Sequence, residues 1–130
     1  MPRLSKGIVV VYALFNLLIA YTLMFDPGPL DAQYRGGAMT PTREFQWFSI
    51  ASFHVLVAAL ALVTLRLGRA ADRRAVLLTN AAFYGWDAAT QWLYWGDRVG
   101  LASADLHVNA GVSAGCAALL LLAVGRDRDG

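Results

Sequence analysis

Charge in this 130-residue chain is confined to short clusters. Nineteen of its twenty charged side chains lie in Arg3–Lys6, Asp26–Glu44, Arg66–Arg74, Asp97–Asp105 and Arg126–Asp129. Four nearly uncharged runs separate them: Gly7–Phe25, Phe45–Leu65, Ala75–Gly96 and Leu106–Gly125. Each is close to the roughly 20 residues that a helix needs to cross the hydrocarbon core of a bilayer. The composition agrees, at 58% hydrophobic and only 15% charged, where a soluble domain carries about a quarter. This pattern excludes a soluble enzyme, a nucleic-acid-binding domain and a disulfide-stapled secreted module. The one cysteine, Cys116, permits no internal disulfide and no Cys-x-x-Cys pair.

Only helices and closed barrels satisfy every backbone group inside lipid. The runs are too long and too continuously apolar for barrel strands of about 10 alternating residues. All four prolines (Pro2, Pro27, Pro29 and Pro41) fall outside them, so no span carries a proline kink. The expected fold is all-α: a single four-helix transmembrane bundle with spans at about 7–25, 45–65, 75–96 and 106–125. The first run is too long for a signal-peptide core and has no Ala-x-Ala site after it, so it reads as a retained helix.

Basic residues near span ends stay on the cytoplasmic side. The N-terminal tail, the Arg66–Arg74 loop and the C-terminal tail hold eight, against three (Arg35, Arg43, Arg98) on the other side. Both termini are therefore expected inside. The compact Ala- and Arg-rich chain points to a bacterial cytoplasmic (inner) membrane. Phe45, Trp47, Phe48, Trp92, Tyr94 and Trp95 read as an interfacial aromatic belt on the outer side. The outer loop 26–44 reads as an ordinary connector. Pro27-Gly28-Pro29 and Gly36-Gly37 argue against a regular element there, with a cap over the bundle mouth as the alternative.

Within the spans the polar residues carry the information. Asp87 is the one charge in the four runs. A carboxylate at mid-span costs about 2.5–3.5 kcal/mol to insert, so it should face the interior, have a partner and mark a functional site. Asn80, Tyr84, Asp87 and Gln91 are spaced to form one helical stripe. At 1.5 Å per residue, Asp87 lies about 12 Å below the outer surface, His54 and Asn16 about 13 Å, and Ser113 about 10 Å. One polar residue from each helix at one level predicts a shared cavity or hydrogen-bond network. Asp87 and His54 are the candidate catalytic residues, and Asn16, Tyr84, Gln91, Asn109 and Ser113 the candidate ligand-binding ones. Taken singly, Asn16, Asn80 and Ser113 are also what helix–helix packing alone would use.

Gly111-Val112-Ser113-Ala114-Gly115 matches a Gly-x-Ser-x-Gly nucleophile pattern, but that pattern works only on a strand-to-helix turn. On a helix it is a small-residue stripe, suited to close packing or a homo-oligomer face. His54 and His107 lie at different depths, which suits two-histidine haem ligation poorly. Asp87 and His54 alone are too few ligands for a zinc site, so no metal is expected, and the residues name no cofactor.

Three functions remain. The first is a non-enzymatic accessory subunit or binder, whose polar layer receives a hydrophobic small molecule or a partner helix. The second is an intramembrane enzyme using Asp87/His54 acid–base chemistry on a sterol, terpene or quinone. The third is an oligomeric proton or small-solute transporter. The bilayer is the expected surrounding, with a larger membrane complex or a homo-oligomer as possible partners and no nucleic acid.

Overall fold

The computed structural model describes residues 1–34, 39–95 and 103–127. Arg35, Gly36, Gly37, Gly96, Asp97, Arg98, Arg128 and Asp129 lie outside the described residues, as does the side chain of Trp95. Every described element is helical: α1 (Arg3–Phe25), α2 (Gly28–Tyr34), α3 (Pro41–Thr64), α4 (Ala70–Thr90), a π-helical turn continuing α4 (Gln91–Trp95), and α5 (Ser103–Arg126). α1 and α5 cover their apolar runs, α3 covers its run up to Thr64, and α4 with its π-helical turn follows the third run to Trp95; all four begin a few residues within the preceding charged cluster.

Three of them, α1, α3 and the stretch Asp105–Arg126 of α5, are long and apolar enough to cross a membrane. They identify the chain as a membrane protein. By the same measure α4 is not apolar enough, because Asp72, Arg73 and Arg74 open it and Asn80 and Asp87 interrupt it.

Consecutive long helices pack side by side, α1 on α3, α3 on α4 and α4 on α5, and α5 returns to α1. Small side chains allow this closeness. Ala13, Ala51, Ala58, Ala61, Ala110 and Ala123 are among the fully buried residues, as at helix interfaces in lipid, where backbones approach across small side chains. Large apolar side chains point outward instead: Leu14, Leu18, Phe25, Phe45, Trp86 and Leu121 are all more than half exposed. A surface so apolar is at rest in hydrocarbon and would associate in water.

One end of the molecule is tied by charge. Arg73 forks onto Asp127, with Nε donating to Oδ2 at 2.7 Å and Nη2 to Oδ1 at 2.9 Å. Its Nη1 reaches the carbonyls of Leu67 and Gly68 in the connection from α3 to α4. Ser5 Oγ donates to the carbonyl of Ala123, so the N-terminal part of α1 and the C-terminal part of α5 meet here. The Arg73 hydrogen bonds, joined by its charge, hold the Asp127 carboxyl below the ordinary carboxylate value.

The opposite end corrects the reading of 26–44 as an irregular connector. Gly28–Tyr34 forms a short helix. Pro29 does not prevent it, since a proline in the first turn lacks only an N–H that has no intrahelical partner there. The same tolerance lets α3 start at Pro41, with Thr40 Oγ1 accepting from the Arg43 backbone N–H as its N-cap. Asp31 of α2 is buried and anchors the short helix. Arg43 donates to both its carboxylate oxygens, and Trp47 Nε1 donates to Oδ1 at 2.8 Å. Leu30 packs onto Ala20, Leu23 and Ala51, so the segment lies across the mouth between α1 and α3.

Candidate functional site

The polar residues of the spans collect into two clusters rather than one layer. In the first, the Asn16 amide donates through Nδ2 to the carbonyl of Tyr12, one turn back on α1, at 2.9 Å. That bond fixes the amide's orientation and turns Oδ1 toward α3 and α4. Tyr84 Oη donates to Oδ1, crossing from α4 to α1. His54 Nδ1 lies 2.9 Å from the same oxygen and 3.1 Å from Tyr84 Oη. An amide oxygen only accepts, so His54 meets it with Nδ1 protonated and keeps Nε2 as an acceptor. Tyr84 also stands edge-on to Tyr12, centroids 5.8 Å apart.

The second cluster joins α4 to α5. Asp87 Oδ2 accepts from Gln91 Nε2 at 2.7 Å and from Ser113 Oγ at 2.6 Å. Asp87 therefore does have partners, one just beyond the end of α4 and one on α5. Ser113 touches Asp87 directly, while His54 belongs to the first cluster, so no Ser–His–Asp relay is assembled. Asn80 takes a purely architectural place: its Nδ2 donates to the carbonyl of Val57 at 3.1 Å, tying α4 to α3.

Both clusters open onto one cavity of about 520 Å³. His54, Tyr84, Asp87, Gln91 and Asn109 form its polar side. Its apolar side comes from α1 (Ile19, Leu23), the cap (Leu30), α3 (Trp47, Ile50, Phe53) and Phe83. The size and the mixture of an apolar wall with a few converging polar groups are those of small-molecule sites. A second hollow near the ends of α1 and α3, lined by Phe25, Pro27, Pro41, Glu44, Phe45 and Phe48 among others, gathers no such set of polar groups.

Of the candidate residues, His54, Asp87, Tyr84, Gln91 and Asn109 line the cavity. Asn16 and Ser113 stand behind it as the partners that orient His54, Tyr84 and Asp87. The apolar wall and the Asp31 anchor escaped the sequence reading. A greasy cavity wall has the same composition as a lipid-facing surface, and Asp31 meets Arg43 and Trp47 only through tertiary packing.

Gly111 and Gly115 face outward, and a methyl group built on either meets nothing within 4 Å. Within one chain they pack against nothing. Trp92 and Trp47, expected in the aromatic belt, also make specific hydrogen bonds, Trp92 Nε1 to His107 Nδ1 at 3.2 Å and Trp47 to Asp31. Among the described residues no three His, Cys, Asp or Glu side chains converge as a metal site would need.

The chain matches no family model, and it has no significant similarity to any curated protein or solved structure.

Proposed function

We propose that this is a four-span membrane protein that binds a lipophilic small molecule between α1, α3 and α4, beneath the α2 cap. The observation that carries the reading is a cavity with an apolar wall on one side and His54, Tyr84, Asp87, Gln91 and Asn109 on the other. Asn80 serves helix packing alone. His54, Tyr84 and Asp87 also bond between helices, but with Gln91 and Asn109 they border a space that a ligand fills.

In this reading α4 is the third span. Its charged residues Asp72, Arg73 and Arg74 sit at its start, before the apolar run, and the cost of Asp87 is offset by Gln91 and Ser113. Both termini face the cytoplasm, supported by the excess of basic residues on that side. The bacterial inner membrane is the proposed location. Binding is favoured over acid–base catalysis because Asp87 and His54, though both line the cavity, are each hydrogen-bonded in a separate cluster.

Native mass spectrometry of the protein released from its own membrane in mild detergent tests this. The wild type is expected to carry a non-covalent adduct of a few hundred daltons. Ile50→Trp, which fills the cavity from α3, should lose it. A bare wild-type mass, or an adduct equally present in Ile50→Trp, contradicts the proposal.

A further inference from the structure

Among the described residues, three buried side-chain atoms have no hydrogen-bond partner: Tyr12 Oη, Gln91 Oε1 and Asn109 Nδ2. The last two belong to residues lining the cavity, and they are of opposite kind. Gln91 Oε1 is an acceptor. The amide cannot be turned to exchange its ends, because its Nε2 donates to the Asp87 carboxylate at 2.7 Å, and a carboxylate would repel the amide oxygen. Asn109 Nδ2 is a donor.

The two residues are also placed opposite one another. Ser113 of α5 donates to Asp87 of α4 at 2.6 Å, which fixes the register of two antiparallel neighbours. One helical turn further toward the cap, the residue four after Asp87 is Gln91, and the residue four before Ser113 is Asn109. They form the next rung of the same ladder. The lower rung is closed by a direct hydrogen bond, and the upper one holds an acceptor and a donor that do not reach each other. Buried polar atoms left so are costly, unless something inserted between them serves both.

We infer that the upper rung, Gln91 and Asn109, is the head-group site of the cavity and that it selects a lipophilic alcohol. This rests on the binding function proposed above and deepens it. One hydroxyl donates to Gln91 Oε1 and accepts from Asn109 Nδ2 through a single oxygen. Polar ends that only donate or only accept satisfy half of the rung. A ketone, quinone or ether oxygen accepts from Asn109 and leaves Gln91 Oε1 bare. An ammonium donates to Gln91 and leaves Asn109 Nδ2 bare. A carboxylate accepts only, and it would stand beside Asp87. The apolar body of the alcohol lies along Ile50, Phe53 and Phe83, toward Leu23 and Leu30.

The test uses three probes of one carbon skeleton: farnesol, its methyl ether, and the hydrocarbon farnesene. Each is titrated into the full-length protein in detergent, and saturable binding is read by native mass spectrometry. Farnesol is expected to bind at least about tenfold more tightly than the ether, the low-end cost of one unpaired buried group, and tighter still than farnesene. Gln91→Leu removes the orphan acceptor and should bring ether and alcohol within about threefold, with the ether's own affinity unchanged or improved. Asn109→Leu should weaken alcohol and ether alike. A circular dichroism spectrum and melting temperature near wild type show that each variant is folded.

Equal saturable binding of all three probes, lost in Ile50→Trp, overturns the alcohol site and leaves the cavity standing. So does a preference for the alcohol that survives both leucine variants, since the rung then plays no part and a trapped water is its occupant. Absence of saturable binding by any probe overturns the cavity reading as well.

Discussion

Asp87 shows most clearly how a single charged residue is accommodated within an apolar stretch of helix. It has an i+4 neighbour, Gln91, and a hydroxyl from α5, Ser113, both donating to Oδ2. The cluster thus needs an acceptor at this position more than it needs a charge. Asp87→Asn keeps an acceptor and is expected to hold or raise the melting temperature in detergent. Asp87→Leu strands the Ser113 hydroxyl and the Gln91 amide and should destabilise by about 1–3 kcal/mol. Thermal unfolding followed by circular dichroism separates the two, and equal losses in both variants would show that the charge itself is what the fold uses. That Asp87 would have partners was legible in the sequence, because an acid in the middle of an otherwise apolar run needs them; the structure leaves it half-buried at the cavity edge. Its division from His54 was not legible. Equal depth along four helices says nothing about the rotation of each helix about its axis. That rotation sends Asn16, His54 and Tyr84 to one knot and Asp87, Gln91 and Ser113 to another.

The long helices were legible to within a few residues, since charge clusters mark where lipid ends. The short α2 was not. Seven residues starting at Gly28-Pro29 have little helix propensity, and what holds them is Asp31 meeting Arg43 and Trp47, twelve and sixteen residues away. At the other end, the start of α4 is joined to the end of α5 through Arg73 and Asp127, an ion pair that local pattern also hides. Hydrogen bonds from Arg73 lower the folded-state pKa of Asp127 below its ordinary value of 3.8. A depressed carboxylate contributes its stabilisation fully above the unfolded-state pKa and loses it as pH falls through the folded value. The melting temperature of Asp127→Asn should therefore lie below that of the wild type at neutral pH. The gap should close as pH drops below the ordinary carboxylate value. A gap that stays constant down to acid pH would mean that packing at the end of α5, and not the ionised pair, supplies the difference.

At the scale of the whole molecule the protein is built inside out relative to a soluble bundle. Alanines and a few polar knots fill the helix interfaces, and leucines and aromatics cover the outside. Such a core is thin, and bulky side chains enter it at few places. Trp47, Ile50, Phe53 and Phe83, half-buried or exposed at the side of the bundle near the cap, border a space of about 520 Å³ instead of closing it. Apolar residues on the cavity wall and on the lipid-facing surface look alike in sequence, which is why the polar half of the site could be anticipated and the apolar half could not. The central claim is that this space, and not the lipid-facing surface, is where a lipophilic molecule settles. Photo-crosslinking tests it most directly, with a diazirine-bearing long-chain alcohol incorporated into vesicles with the protein and the adducts mapped by peptide mass spectrometry. Labels are predicted on Trp47–His54 of α3 and Phe83–Gln91 of α4, diminishing when excess farnesol is added. Labels confined to outward side chains such as Leu14, Leu18 and Leu121, and undiminished by farnesol, would contradict it.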